Sequence, residues 1–190
     1  MAQPEGLLVT PGAGGSSDHR TLAAIAEAVV SVPVIRHDFE YRRAGKKAPP
    51  RAPKLVAELI EELPELAASI GADPAKMVVG GRSMGGRVCS LAVGEGLEAA
   101  GLVLLSYPLH PVGKPDKLRV DHFEKLEVPC LFISGDRDPF GTPAEFDEHL
   151  GKIPGPVEMV WIEGGRHDPN NKPHISFISQ TVRDWLQTLR

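Results

Sequence analysis

Cysteine is scarce: the 190-residue chain holds two, Cys89 and Cys130. Both sit among core-type neighbours, which predicts reduced, buried thiols rather than a disulfide framework or a nucleophile. Long apolar runs are missing as well. None approaches the roughly 20 residues that would span a bilayer. Gly6-Leu7-Leu8-Val9 is only strand-length, and no basic flank, apolar run and cleavage site combine into a signal peptide. Charge of one sign is also lacking. A net charge of −4 is mild and points to neither a nucleic-acid nor a membrane partner. Internal repeats and low-complexity segments are absent. These absences leave a soluble protein, expected in the cytoplasm, whose partner is a small-molecule substrate.

What is present is ordinary in amount and particular in order. The hydrophobic content of 42% and charged content of 24% are typical of a globular chain. The length fits one domain over residues 1–190 with a real core. A first strand is expected at 7–10, then a Gly-rich loop, 11–18, with Asp18 as a helix N-cap. Leu22, Ile25, Ala26 and Val29 recur with helical spacing. A second strand starts at Pro33 and runs to about Phe39. The basic, Pro-containing stretch 42–51 reads as a solvated loop, with recognition of an anion the alternative for 42–54. A helix over 54–70 should kink or split at Pro64. Further strands follow at 77–80, 101–106, 129–134 and 157–162. Between them lie a loop over 107–128 with one short helix near 121–126, and a helix near 144–150. A final helix carries Ile175, Ile178, Val182, Trp185, Leu186 and Leu189 on one stripe.

Six strands, several continuously apolar, alternate with helices. This predicts an α/β fold: a parallel sheet covered by helices on both faces through right-handed crossovers. Ligands of such sheets gather beyond the carboxyl ends of the strands. The polar, Gly-rich loops after Thr10, Gly80, Ser106, Ser134 and Ile162 all lie at such ends.

One of those loops is Gly81-Arg82-Ser83-Met84-Gly85. It follows an apolar, β-branched run and precedes a helix-compatible one, the form of a nucleophile elbow. Gly81 and Gly85 let the turn close, and Ser83 is expected in a strained backbone conformation. A Gly-rich turn with an incidental serine is the alternative. A serine hydroxyl needs a base oriented by a third group to act at neutral pH. His167 follows Gly164-Gly165 after the last strand and supplies an imidazole. Gly135-Asp136-Arg137-Asp138 after the fifth strand supplies two carboxylates. The order Ser, Asp, His is the one elbow-type hydrolases use. The N–H of Met84, directly after the nucleophile, is one expected oxyanion donor. Tyr107 and His110 follow the fourth strand and are expected to line the acyl pocket, with packing the other reading for Tyr107. The segment 107–128 is too short for a large lid, so the site should be open and shallow.

Other chemistries fit less of the chain. Gly12-Ala13-Gly14 after a strand, with Asp38 near the end of the second, resembles a dinucleotide fingerprint, but its third glycine is replaced by Ser17. No Gly-Lys-Ser/Thr follows the first glycines, so there is no P-loop. His167, Asp168 and His174 lack a further ligand of suitable spacing, so no metal is expected. A hydrolase fold serving only as a binding module stays as the non-catalytic alternative.

The arrangement resembles the α/β-hydrolase superfamily along essentially the whole chain. More narrowly it resembles the small, cap-less, dienelactone-hydrolase-like group that includes a mammalian testis-expressed protein and a noncatalytic subunit of a histone acetyltransferase complex. The stretches carrying that likeness are Thr10-Pro11-Gly12-Ala13-Gly14-Gly15, Gly81 to Arg87, Tyr107-Pro108-Leu109-His110, and Gly135-Asp136-Arg137-Asp138-Pro139-Phe140-Gly141. The resemblance implies a minimal α/β-hydrolase fold of about six parallel strands with no large cap. It also implies ester or thioester hydrolysis without an organic cofactor. It chooses Asp138 over Asp136, because the orienting acid commonly stands fourth in a Gly-x-x-Asp turn. Pro11-Gly12-Ala13-Gly14 stands where such enzymes often carry His-Gly-x-Gly, which nominates the N–H of Ala13 as second oxyanion donor and Gly12 and Gly14 as substrate neighbours. Ser83 replaces the cysteine of dienelactone hydrolases proper, which separates this chain from their cyclic lactone substrate.

Overall fold

The computed structural model describes residues 3–189. Its strands and α-helices are β1 (Gly6–Thr10), α1 (Arg20–Ala28), β2 (Val34–Arg36), α2 (Glu40–Arg43), α3 (Ala52–Ser69), β3 (Met77–Arg82), α4 (Met84–Gly94), β4 (Gly101–Leu105), β5 (Cys130–Gly135), α5 (Pro143–Leu150), β6 (Val157–Ile162) and α6 (Lys172–Thr188), with short 3-10 turns at Pro74–Lys76 and Phe123–Lys125. The six strands form one sheet in the order β2-β1-β3-β4-β5-β6, and every neighbouring pair is parallel.

Alternation along the strands divides the core into two layers. Leu8, Val79, Leu102, Leu104 and Phe132 face one side and pack with α3, α4 and α5 through Leu55, Leu59, Val88 and Phe146. Leu7, Val9, Val78, Val103, Leu131 and Ile133 face the other and pack with α1 and α6 through Leu22, Ile25, Val182 and Trp185. Apolar residues at both alternating positions are what a sheet buried on both faces requires. Both cysteines are free and buried. Among the described residues, no helix is long and apolar enough to cross a membrane.

Several boundaries differ from the sequence expectation. β2 ends at Arg36, and Phe39, instead of ending the strand, is the buried residue that starts α2. The helix α3 is not split at Pro64 but runs through it. Pro64 and Ile60 both face solvent, so the carbonyl that loses its intrahelical donor is on the wet side, where water can satisfy it. His19 rather than Asp18 caps α1, its side chain accepting from the Thr21 N–H. Arg42 and Arg43 lie in α2 instead of a loop, and Arg43 pairs with Glu62 and Glu58 on α3.

The strand order places the site. From β1 the chain crosses to β2 on one side, and β3 then pairs with β1 on the other. The loops leaving β1 and β3 therefore diverge to opposite faces and open a crevice at the carboxyl ends. Those loops carry Gly12 and Ser83.

Candidate active site

Ser83 occupies the junction of β3 and α4 at φ 51, ψ −114. A positive φ at a non-glycine residue costs about 1–3 kcal/mol and persists only where the surroundings enforce it. Here they do so tightly. A Cβ on Gly81 would lie 2.3 Å from the Thr10 carbonyl oxygen, and one on Gly85 would lie 2.3 Å from Thr10 Oγ1. The Ser83 N–H donates to Leu105 O at 2.8 Å, and Ser83 O accepts from the Arg87 N–H at 3.0 Å. Strand β4 and the first turn of α4 thus hold the bend from both ends.

Three distant loops meet at this bend. Ser83 Oγ lies 2.8 Å from His167 Nε2, and His167 Nδ1 lies 2.8 Å from Asp138 Oδ2. Asp138 is 2% exposed, and its Oδ1 accepts from the Phe140 N–H at 2.9 Å. A carboxylate that accepts at Oδ2 puts the imidazole proton on Nδ1, so Nε2 presents its lone pair to the serine hydroxyl. Asp136 does not reach the imidazole: its Oδ1 is enclosed without a hydrogen-bond partner. A hydroxyl donating to an imidazole that a buried carboxylate holds is the geometry by which a serine becomes nucleophilic.

Around these three groups lie residues that the sequence reading passed over. The Phe140 ring packs on the His167 imidazole, with centroids 4.1 Å apart and planes tilted by 32°. Tyr41 Oη donates to Ala13 O at 3.0 Å, tying α2 to the loop after β1. Arg82, the residue before the serine, donates from Nη2 to His167 O at 3.0 Å and pairs with Asp168 Oδ1 at 3.0 Å. Burial lowers the Arg82 pKa, and the carboxylates of Asp168 and Asp138 act in the opposite sense. Phe140 and Arg82 stand inside the stretches that carry the family likeness, with no local signal for these contacts, and Tyr41 stands outside them.

Met84 opens α4, where the first N–H groups have no intrahelical acceptor. Gly12 packs against the bend: a Cβ there would sit 3.6 Å from the Ser83 Cβ. Gly14 borders a cavity of about 390 Å³ together with Arg20, Arg42, Asp168 and Asn170. Tyr107 and His110 are corrected. Tyr107 is 1% exposed and packs on Phe123 and Phe132 in the core, with Oη donating to Arg119 O at 2.7 Å. His110 is 5% exposed, and its ring nitrogens face Pro111 O and Glu145 Oε1. Neither side chain can line an open acyl pocket, because the segment after β4 turns its bulky residues down into the sheet layer.

The rival chemistries meet specific obstacles. Asp38, the acid a dinucleotide ribose would need, accepts from both the N–H and the hydroxyl of Ser17 at 2.8 Å each. Asp168 is engaged by Arg82 and His19, which takes it from any grouping with His174. Among the described residues, His37, Glu58 and Glu62 are the group spaced to hold a metal ion. Arg43 already pairs with both glutamates, so a cation would have to displace a guanidinium.

A family model described as an alpha/beta hydrolase domain matches residues 3–182. Solved structures share the fold. Est1E from Butyrivibrio proteoclasticus superposes with TM-score 0.77 at 16% identity, over 98% of this chain and 88% of that one. A monoacylglycerol lipase from Paleococcus ferrophilus gives TM-score 0.74 at 14% identity, over 100% and 97%. An alpha-beta serine hydrolase homologue from Coxiella burnetii gives 0.70 at 19% identity, over 100% and 86%. At such identities the structural likeness speaks for the fold, while the family match covers nearly the whole chain and adds lineage. With the crevice and the serine bend described above, the chain belongs to the alpha/beta hydrolase domain family.

Proposed function

We propose that the protein is a serine hydrolase that cleaves a small carboxylic ester, thioester or related carbonyl substrate through an acyl-enzyme. The observation that carries this reading is the unbroken relay from Asp138 through His167 to Ser83, with both contacts at 2.8 Å. Membership of the hydrolase family supports it. Ser83 Oγ attacks the carbonyl carbon as His167 Nε2 takes its proton, while Asp138 holds the tautomer and stabilises the imidazolium. The N–H groups of Met84 and Ala13 receive the oxyanion, a contribution for which each donor typically accounts for about 10²–10³ in rate. The imidazolium then protonates the leaving oxygen or sulfur. Water, deprotonated by the same imidazole, releases the acid and restores Ser83.

Substrate size follows from what covers the site. Leu109, Val120 and Phe123 between β4 and β5 are buried in the core with Tyr107, so this stretch contributes packing rather than a wall over Ser83. That suits a short acyl chain and fits the small, cap-less, dienelactone-hydrolase-like group. A fluorophosphonate probe tests the reading. It should label the protein at Ser83 and leave Ser83→Ala untouched, with thermal unfolding of the variant close to that of the parent. Hydrolysis of 4-nitrophenyl esters should fall with acyl-chain length. A folded protein that neither takes the probe nor turns over any ester of the series would overturn the proposal.

A further inference from the structure

We infer that Arg82 is a positioning residue that sets where His167 stands relative to Ser83, acting through a bridge to Asp168 that His19 completes. The inference rests on the serine-hydrolase reading above. The base sits in an irregular stretch, 163–171, between β6 and α6. Backbone bonds support its beginning: the Arg137 N–H donates to Gly165 O and the Gly165 N–H to Ile162 O, both at 2.9 Å. From His167 onward the support comes from side chains. Arg82 Nη2 reaches His167 O and Asp168 Oδ1, each at 3.0 Å.

The remaining contacts explain why an arginine suits this position. Its side chain is 12% exposed, and a Cβ on Gly12 would lie 3.2 Å from Nη1. The guanidinium therefore runs between the loop after β1 and the loop carrying the base. His19 reaches the same carboxylate from α1. Its Nδ1 accepts from the Thr21 N–H at 3.3 Å, which places the proton of a neutral ring on Nε2, 3.4 Å from Asp168 Oδ1. Burial, followed by the Arg82 charge, lowers the His19 pKa and favours that neutral form. Arg82 is covalently next to the nucleophile, so the group that grips the His167 carbonyl is referenced to Ser83 itself. An ion pair whose carboxylate is 45% exposed adds little net stability, whereas misplacing a reacting group by about 1 Å can cost 10²-fold in rate.

The test uses Arg82→Met, Arg82→Lys, Asp168→Asn and the double variant Arg82→Met/Asp168→Asn, which leaves neither charge unpaired. With a short-chain ester, Arg82→Met should lose about 10- to 100-fold in kcat, with KM nearly unchanged and fluorophosphonate labelling slowed in step. Arg82→Lys should fall between: one ammonium nitrogen can still donate to both acceptors, but it lacks the rigid guanidinium plane that holds Nη2 between them. The double variant should be no slower than Arg82→Met alone. In the one-dimensional proton spectrum, the His167 Nδ1 proton shared with Asp138 should give a downfield resonance that broadens in Arg82→Met. A folded Arg82→Met or double variant with parental kcat would overturn the inference, as would loss of rate that tracks thermal stability alone. An inactive, unlabelled parent would instead defeat the hydrolase reading. The resonance then decides about Arg82 by itself, and an Arg82→Met spectrum identical to the parent's would refute the positioning role.

Discussion

Replacing Asp138 by asparagine changes one atom of the carboxylate, and the structure dictates which way the new amide turns. The Phe140 N–H donates to Oδ1 at 2.9 Å and needs an acceptor there, so the amide oxygen takes that place. The NH2 group is then left facing His167 Nδ1, where the carboxylate accepted at 2.8 Å. It can only donate, so Nδ1 must become the unprotonated nitrogen and the proton moves to Nε2. The ring then donates toward Ser83 Oγ across the 2.8 Å contact when it should accept, and the hydroxyl loses its base. In the serine protease prototype this tautomer error costs about 10⁴ in kcat, equivalent to about 5 kcal/mol of transition-state stabilisation. Stability should change by no more than about 1 kcal/mol, because both hydrogen bonds persist, the one to His167 with reversed polarity. Ester hydrolysis, the rate of fluorophosphonate labelling and thermal unfolding should be measured together on Asp138→Asn and Asp136→Asn. A folded Asp138→Asn within tenfold of parental kcat would refute the reasoning, and a steep loss in Asp136→Asn alone would reassign the acid.

Two further outcomes follow from packing and titration. A Cβ in Gly135→Ala would lie 2.2 Å from the carbonyl of Gly165 and 2.8 Å from the Arg166 nitrogen. That backbone clash should cost about 2–3 kcal/mol and displace the loop carrying His167, read as a lowered thermal midpoint with lost ester turnover; a stable, active variant would show that the loop moves freely. His122, whose Nε2 meets Ser90 Oγ at 2.8 Å, has its pKa lowered to about 4, by burial first and the Arg87 charge second. The unfolded ring titrates near ~6.5, so the unfolded state binds more protons between these values. Stability is therefore complete above the upper value and declines as pH falls through the window. Its size is at most about 3 kcal/mol, less after solvent screening of a partly exposed ring. His122→Gln should flatten the denaturant midpoint between pH 7 and pH 4, and an unchanged slope would contradict the assignment.

The serine bend could be read along the chain because its parts are local. The elbow is a strand, a tight bend and a helix within a few residues, and Gly81 and Gly85 announce the close approach to Thr10 that the bend needs. Choosing Asp138 over Asp136 took a family resemblance, since two carboxylates in one turn have the same local chemistry. Tyr107 misled for a different reason. A tyrosine after a parallel strand can turn toward the crevice or into the layer beneath, and only the aromatic neighbours Phe123 and Phe132 show that it turns inward. Pro64 misled because its local cost assumes a buried carbonyl, while in α3 the affected turn faces water.

By itself the sequence determined the alternation of strand and helix, the burial of the sheet on both faces, and the serine at the bend. Those features depend on side-chain period and backbone sterics over a few residues. Tertiary structure alone decided the distances, which bring His167 to 2.8 Å from both a serine 84 positions away and an acid 29 positions away. It also decided that Tyr41 donates to Ala13 and that Arg82 grips the loop carrying His167. Such contacts form only after the sheet has assembled in the order β2-β1-β3-β4-β5-β6. Their energies are shared between segments that have no mutual signature until loop closure and packing bring them within hydrogen-bond reach.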